Sequence, residues 1–187
     1  LQQLLEIGIL EHIETVERIS GEAQKQWALK TALSSMKKEW KPMELMTVVY
    51  KDTGTSIVKG IDDIQALLDD HIVKTQGIQG SPFVKPIEKE VKDWVGKLLY
   101  IQDLLEQWLG CQRSWLYREP IFSSDDIQRQ MPTEAKRFGQ VNALWRTTMD
   151  AVVENPNVLD VSDLENLLAN FTDANKKLDL IQKGLND

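Results

Sequence analysis

The chain has 187 residues, of which 42% are hydrophobic and 27% charged, enough for one moderate core or two small subdomains that share a helix. Its formal net charge of −7 argues against duplex nucleic acid or an anionic membrane as the main partner, because both favour clustered Lys and Arg. No apolar run approaches the roughly 20 residues that span a bilayer, and no secretory signal opens the chain. The one cysteine, Cys111, excludes an internal disulfide and fits a reducing compartment.

The first forty residues predict two helices. The first carries large apolar residues at helical spacing, namely Leu5, Ile9, Ile13 and Val16. Ser20 and Gly21 are expected to interrupt it, with Ser20 capping the second helix. The second helix has one apolar face, made of Leu29, Leu33, Met36 and Trp40, and should end before Pro42.

The only strand signal follows. Residues 44–50 are rich in β-branched and aromatic side chains, and residues 56–59 offer a short antiparallel partner. Gly54 in the intervening turn suits a positive φ. Residues 54–60 contain the glycine and lysine found in phosphate-binding loops, but not in the order that such a loop requires. The favoured interpretation is therefore a hairpin that lies against the helices.

A helix from Ile61 to about Ile78 leads to the longest pattern in the chain. Gly77, Gly80, Ser81 and Pro82 separate the two, and the long helix is expected to begin between Val84 and Pro86. Its apolar residues follow steps of three and four: Val84, Ile87, Val91, Trp94, Leu98, Ile101, Leu105, Trp108 and Trp115. Only Gln112 interrupts this seam. A second stripe, made of Val95, Leu99, Leu109 and Leu116, predicts neighbours on more than one side.

This long helix would be roughly 50 Å in length, whereas a compact globule of this size would be about 40 Å across. The molecule should therefore be elongated. Glu119 and Pro120 are expected to end the helix in a turn that folds the next helix back.

Three further helical stretches complete the pattern. Ser124 can cap one or two turns, Pro132 suits the first residue of a longer helix, and residues 155–157 end that helix. Ser162 and Glu165 have the spacing of a capping box for the last helix. The inward positions of that last helix are expected to be Leu164, Leu167, Phe171, Ala174, Leu178, Ile181 and Leu185.

The predicted fold is mainly α, an elongated antiparallel helical bundle with one small β-hairpin. Residues 1–80 would form the N-terminal helices and the hairpin, and residues 81–187 the long helix and the bundle that follows it. The chain begins at Leu1 without a methionine and stops just after a helical pattern, so we expect a segment of a longer protein.

Residues suited to chemistry are sparse. His12 and His71 each lie beside acidic residues, but no further ligand completes a metal site, so surface or core-edge histidines are favoured. Cys111 has no basic cluster to lower its thiol pKa and is expected to be inert. The tryptophans of the long helix could form a stacking platform, but the mixed charges around them favour a core.

The stretch Trp-Leu-Tyr-Arg-Glu-Pro-Ile-Phe at residues 115–122 closely resembles the linker region of dynein heavy chains. Residues 123–127 and 131–134 extend the match, as do residues 81–86, Trp40 before the hairpin, and residues 175–186. Pro120 followed by Ile-Phe-Ser-Ser is similar to the axonemal branch. Arg118 departs from the leucine usual in the family. The residues that carry the family signature, with a structural role, are Trp108, Gln112, Trp115, Leu116, Tyr117, Glu119, Pro120, Ile121, Phe122, Pro132, Glu134 and Phe138.

The resemblance implies a microtubule motor of the cytoplasm, cytoskeleton and ciliary axoneme, in which this segment is the N-terminal part of the linker. ATP and magnesium would belong to the AAA+ ring of the same heavy chain, which would also be the partner of the linker. Microtubule contact would be made only through other parts of the motor. The segment itself would have no catalytic residue, cofactor or metal, and no nucleic-acid or membrane partner.

Two other functions stay open on sequence grounds. A passive, spectrin-like helical scaffold would bind a partner through one helix face, but it predicts three-helix repeats that the hairpin interrupts. An enzyme or nucleotide-binding domain would need a site that the motifs do not supply.

Overall fold

The computed structural model describes the backbone of residues 2–186 and the side chains of residues 8–186. Within those residues the chain forms seven α-helices and one antiparallel two-stranded hairpin, so the mainly-α prediction is confirmed. Leu5, expected in the first apolar stripe, has its side chain outside the described residues. None of the described helices combines the length and apolar character needed to cross a membrane.

The elements follow in chain order. They are α1 (Gln2–Trp40), β1 (Met46–Val49), β2 (Ser56–Lys59), α2 (Asp62–Gln79), α3 (Glu88–Phe122), α4 (Asp125–Gln130), α5 (Pro132–Glu154), α6 (Val158–Ser162) and α7 (Leu167–Asn186). A 3₁₀ turn, Lys85–Ile87, leads into α3.

Helix α1 runs without a break through Ser20 and Gly21, so the predicted interruption is wrong. A glycine inside a helix costs only about 1 kcal/mol relative to alanine, which the rest of a 39-residue helix outweighs. The helix ends at Trp40, ahead of Pro42 as predicted. Its packed side chains, Leu33, Met36 and Trp40, all lie in the C-terminal part.

The hairpin is shorter than the sequence predicts, because only residues 46–49 of the first segment pair with β2. The register sets Met46 opposite Lys59 and Val49 opposite Ser56. Gly54 has a φ of +72°, which confirms the positive φ expected in the turn. Leu45 instead donates its backbone N–H to the carbonyl of Pro156 at 2.8 Å. The start of the predicted strand is thus tied to the α5–α6 connection.

Helix α3 begins at Glu88, and Pro86 lies in the 3₁₀ turn before it. Its end differs from the prediction, since Pro120 lies inside the helix and the chain turns only after Phe122. A proline removes one backbone donor, to the carbonyl four residues earlier, but the helix continues past it for two residues. The following Ser123 donates its N–H to the carbonyl of Glu119 at 3.0 Å and so closes the helix.

Helix α3 is buried along its length by α2, α5 and α7. The first apolar stripe is confirmed: its members from Val91 to Trp115 are all buried, with Val84 and Ile87 packed at the margin. Leu99 from the second stripe is 39% exposed, so its predicted burial is wrong, whereas its neighbour Leu98 is fully buried.

The predicted capping box at the last helix is wrong. Ser162 belongs to α6, where its Oγ donates to the carbonyl of Leu159 at 2.6 Å. Helix α7 begins only at Leu167, directly after Asn166, which has a φ of +57°. Leu164 consequently lies in the connection and is 37% exposed. The buried positions of α7 are those predicted: Leu167, Phe171, Ala174, Leu178 and Ile181.

One hydrophobic cluster extends from Leu33 to Ile181 and includes residues from both predicted subregions. The division at residue 80 stays a prediction. The accessible surface is 11702 Å², larger than the roughly 9,100 Å² expected for a compact protein of this mass. This excess agrees with the predicted elongated form, and the exposed first half of α1 contributes to it.

Adjacent leucines on α3 provide a matched test of this packing. Leu98→Ala should lower the free energy of unfolding by about 2–5 kcal/mol, because it leaves a cavity in the core. Leu99→Ala should cost less than about 1 kcal/mol, since its side chain is already partly in solvent. Urea unfolding of both variants measures the difference, and equal losses would contradict the orientation of α3.

Candidate functional site

The hairpin is fastened to two helices by a group of five side chains, which we call the hairpin lock. Gln112 and Trp115 come from α3, and Asn142, Trp145 and Arg146 come from α5. A two-stranded hairpin is marginal in water by itself. The lock supplies the partners that a third strand would otherwise provide.

Gln112 is the centre of the hairpin lock. Its Nε2 donates to the carbonyl of Val58 at 2.8 Å, and its Oε1 accepts the Val58 N–H, also at 2.8 Å. An amide can satisfy a backbone N–H and C=O together because it carries both a donor and an acceptor. The buried polar group that interrupts the apolar seam of α3 is therefore fully paired with the edge of β2.

Helix α5 binds the same edge at Ser56 and also binds the turn at Thr53. The indole Nε1 of Trp145 donates to the carbonyl of Ser56 at 3.2 Å, and Nη1 of Arg146 donates to the carbonyl of Thr53 at 2.7 Å. Asn142 joins the two helices, since its Oδ1 accepts from Trp115 Nε1 at 3.0 Å and from Arg146 Nε at 3.3 Å. Side chains of two helices thus hold one strand.

Aromatic contacts continue from the lock into the core. Trp115 stacks on Trp145 with ring centroids 5.4 Å apart, and Tyr50 from the hairpin meets Trp115 edge-on at 5.8 Å. Trp108 stacks on Phe171 of α7 at 5.1 Å, and Trp145 meets the same Phe171 edge-on at 6.3 Å. Helices α3, α5 and α7 are therefore interlocked through large, rigid side chains.

The signature residues divide into three groups by exposure. Trp108, Gln112, Trp115, Phe122 and Phe138 are buried, and Phe122 stacks on Phe138 at 5.1 Å. Leu116, Glu119, Ile121 and Glu134 are half-buried, and Tyr117, Pro120 and Pro132 are exposed. The side chain of Glu134 packs against α7 at Gly184. A Cβ atom added to Gly184 would lie 2.5 Å from Oε1 of Glu134, so this close approach depends on glycine having no side chain. One signature pair, Phe122 and Phe138, therefore links α3 and α5, and Glu134 links α5 and α7.

Arg118, the departure from the family pattern, is buried between α3 and α7. Its Nη2 donates to Oε1 of Gln182 at 2.8 Å, and its Nη1 donates to the carbonyl of Ser114 at 3.1 Å. Burial lowers the pKa of the Arg118 guanidinium, and the charges of Asp179 and Tyr117 oppose that effect. The hydrogen bond from Arg118 to Gln182 is a polar link between α3 and α7.

The two histidines differ. His12 is exposed on α1, as predicted for a surface residue, whereas His71 is only 1% exposed and belongs to the core. His71 Nδ1 accepts from Trp40 Nε1 at 3.0 Å, and its Nε2 lies 3.4 Å from a carboxylate oxygen of Glu39. This pair joins the end of α1 to α2. Among the described residues, no three His, Cys, Asp or Glu side chains converge as metal ligands.

The other candidate sites are accounted for by the fold. Residues 56–59 form strand β2 and do not open a helix, so the phosphate-loop geometry is absent there. The rings of Trp94, Trp108 and Trp115 are buried and have no face available to a base or sugar. Cys111 is buried, and burial raises the pKa of its thiol from 9.0 to about 12.

Sequence reasoning identified Gln112 but not its role. A lone amide on an apolar seam signals a buried polar partner, and that signal could have indicated the hairpin edge. Asn142 and Arg146 gave no comparable signal, because both lie on the partly exposed flank of α5 where polar residues are ordinary.

The hairpin lock predicts a specific cost. Gln112→Ala leaves the Val58 N–H and C=O buried without partners, so the free energy of unfolding should fall by about 2–4 kcal/mol. Native-state hydrogen exchange should also accelerate at the Val58 amide. The control is Gln102→Ala on the exposed side of α3, expected to change stability by less than about 0.5 kcal/mol. Unchanged protection of Val58 in the Gln112 variant would argue against the lock.

Cys111 predicts a loss of stability at alkaline pH. The unfolded thiol loses its proton near pH 9 while the native thiol holds it to about pH 12. Between these values the native state binds more protons, so stability should fall by about 1.4 kcal/mol per pH unit as pH rises. The difference between wild type and Cys111→Ala isolates this effect from other groups. A difference that is flat from pH 9 to 11 would refute it.

Comparison with known proteins gives one consistent family. Residues 1–187 match the family model described as "Dynein heavy chain, N-terminal region 2". The chain is 45% identical over 183 residues to dynein axonemal heavy chain 1 of Mus musculus, covering 98% of this chain and 4% of that protein. It is 46% identical over 187 residues to dynein axonemal heavy chain 3 of Homo sapiens, covering 100% of this chain and 4% of that protein.

A third relative agrees. Dynein axonemal heavy chain 12 of Homo sapiens is 41% identical over 186 residues, covering 100% of this chain and 6% of that protein. The chain therefore spans only about one twentieth of the length of these relatives. Both the family model and the identities show that this chain belongs to the dynein heavy chain family, within its N-terminal region 2 and with axonemal heavy chains as relatives.

Proposed function

We propose that this chain is a non-catalytic lever in the linker of an axonemal dynein motor, coupling ATP-driven changes of an AAA+ ring to the power stroke. The observation that carries the proposal is helix α3. Its 35 residues correspond to about 52 Å of helix, and three other helices pack along it. A segment that transmits force needs this length and this resistance to bending.

Stiffness follows from how the helices are joined. Close-packed cores do not deform continuously, so bending α3 would separate the Trp108–Phe171 and Trp115–Trp145 stacks. It would also break the paired hydrogen bonds of Gln112 to β2. The signature residues are thus interpreted as structural members of a lever.

The proposal includes partners and location. The AAA+ ring of the same heavy chain would be the partner of the segment, and ATP and magnesium would bind in that ring. Microtubules would be contacted through other parts of the motor, and neither nucleic acid nor membrane would be a partner. The parent protein would act in the cytoskeleton of the ciliary axoneme, as the names of its relatives suggest.

The scaffold alternative fits less well. A spectrin-like array would consist of repeated three-helix units, whereas here a hairpin stands between α1 and α2 and is bonded to α3 and α5. A lock between strand and helices favours one rigid body over a flexible array.

A coupling experiment in the intact heavy chain tests the lever. Trp108→Ala, or the milder Phe171→Leu, removes the stack between α3 and α7. Microtubule gliding velocity should fall at least about threefold, while ATP turnover should stay within about twofold, because the chemistry is elsewhere in the motor. Glu106→Gln, exposed on the same helix, is the control and should change neither.

Two outcomes would count against the lever. If ATP turnover and gliding velocity fell in parallel, the segment would belong to the catalytic machinery. If gliding velocity were unchanged in a variant with a measurably lower unfolding temperature, force transmission would not depend on the stiffness of this segment. Thermal unfolding of the isolated 187-residue variants separates loss of coupling from loss of fold.

A further inference from the structure

The first half of α1 carries an apolar stripe that no described residue covers. Its large members, which we call the α1 stripe, are Ile9, Ile13, Val16 and Trp27, and they are between 48% and 69% exposed. Ser20 and Ala23 occupy the intermediate positions, giving steps of four and three throughout. Steps of four and three are the heptad spacing with which one helix packs against another in a coiled coil.

The α1 stripe points away from the body of the molecule. Trp27 and Met36 are nine residues apart, which places them on opposite sides of the helix at about 100° per residue. Met36 is buried on the remainder of the protein, whereas Trp27 is exposed. The stripe is therefore a second apolar face and not an extension of the first.

The stripe is also wider than a simple coiled-coil seam. Leu10 and Ile19 flank it on its two sides and are 58% and 55% exposed. An apolar face of this width fits a pair of neighbouring helices better than a single one. A solitary apolar residue at the surface is ordinary, but six exposed large apolar residues along one side of a helix indicate an interaction site.

We propose that the α1 stripe is covered by helices from the part of the heavy chain that precedes residue 1. Relatives extend far beyond the region matched here, which is 4% to 6% of their length. A helix on the same polypeptide has a much higher effective concentration at this stripe than a separate subunit. The proposal depends on membership of the heavy-chain family and not on the lever function.

Charge disfavours a second copy as the occupant. Between Ile9 and Trp27 the helix carries Glu11, Glu14, Glu17 and Glu22 against Arg18 and Lys25. Two copies of this acidic helix would repel each other at low salt. A preceding segment has no such symmetry constraint and can supply basic flanks.

Photo-crosslinking in the intact heavy chain tests the occupant. p-Benzoylphenylalanine at Val16 should form a crosslink to a heavy-chain peptide located before residue 1, as read by mass spectrometry. The same group at Glu14, exposed on a different side of the helix, is the control and should give at least about tenfold less of that product. Crosslinks chiefly to another subunit or to a second heavy chain would overturn the proposal, as would no crosslink at Val16.

A second measurement does not depend on crosslinking. The double variant Ile13→Asp/Val16→Asp in the heavy chain should raise amide exchange rates at residues 8–27 at least about tenfold and leave residues 33–40 unchanged. The matched control Glu14→Gln should leave both regions unchanged. Equal exchange in the double variant and wild type would refute the coverage. Neither readout involves ATP or microtubules, so failure here is separate from failure of the lever.

Discussion

Helix α3 buries large side chains on more than one side, and the arrangement of the neighbouring elements follows from that burial. The tryptophans and leucines of its seam need apolar partners over about 52 Å of helix, more than one neighbour can supply. Helices α2, α5 and α7 share this task, and α5 packs in turn on α7. The elongated form is therefore a consequence of one long helix that has to be covered from end to end.

Polar contacts determine how these apolar surfaces are aligned. Apolar packing is non-directional, whereas Gln112 pairs with one particular residue of β2. Asn175 of α7 adds a second alignment, since its Nδ2 donates to the backbone carbonyl of Gln107 on α3 at 2.9 Å. Removing Gln112 would leave the buried N–H and C=O of Val58 unpaired, which makes sliding of the hairpin along α3 unfavourable. Resistance to sliding is a property that a force-bearing segment requires.

The described part of the molecule has two regions that differ in packing. Around α3 the described side chains are interlocked, but the first half of α1 presents apolar residues to solvent. The C-terminal part of α1 joins these regions through buried Leu33, Met36 and Trp40, and Trp40 donates a hydrogen bond to His71 of α2. Within a heavy chain this arrangement would connect a rigid body to whatever covers the α1 stripe.

Residue order was sufficient to predict most of the helices, the hairpin, the buried face of α3 and the family, because periodicity and signature residues are local properties of a sequence. It failed where local signals compete with their surroundings. Ser20–Gly21 and Pro120 suggested breaks, but long helices absorb one weak residue or one missing donor. Ser162 and Glu165 had capping spacing, yet α7 begins later. The role of Gln112, the core position of His71 and the exposure of Leu99 depend on which element lies opposite each residue, and only packing in three dimensions decides that.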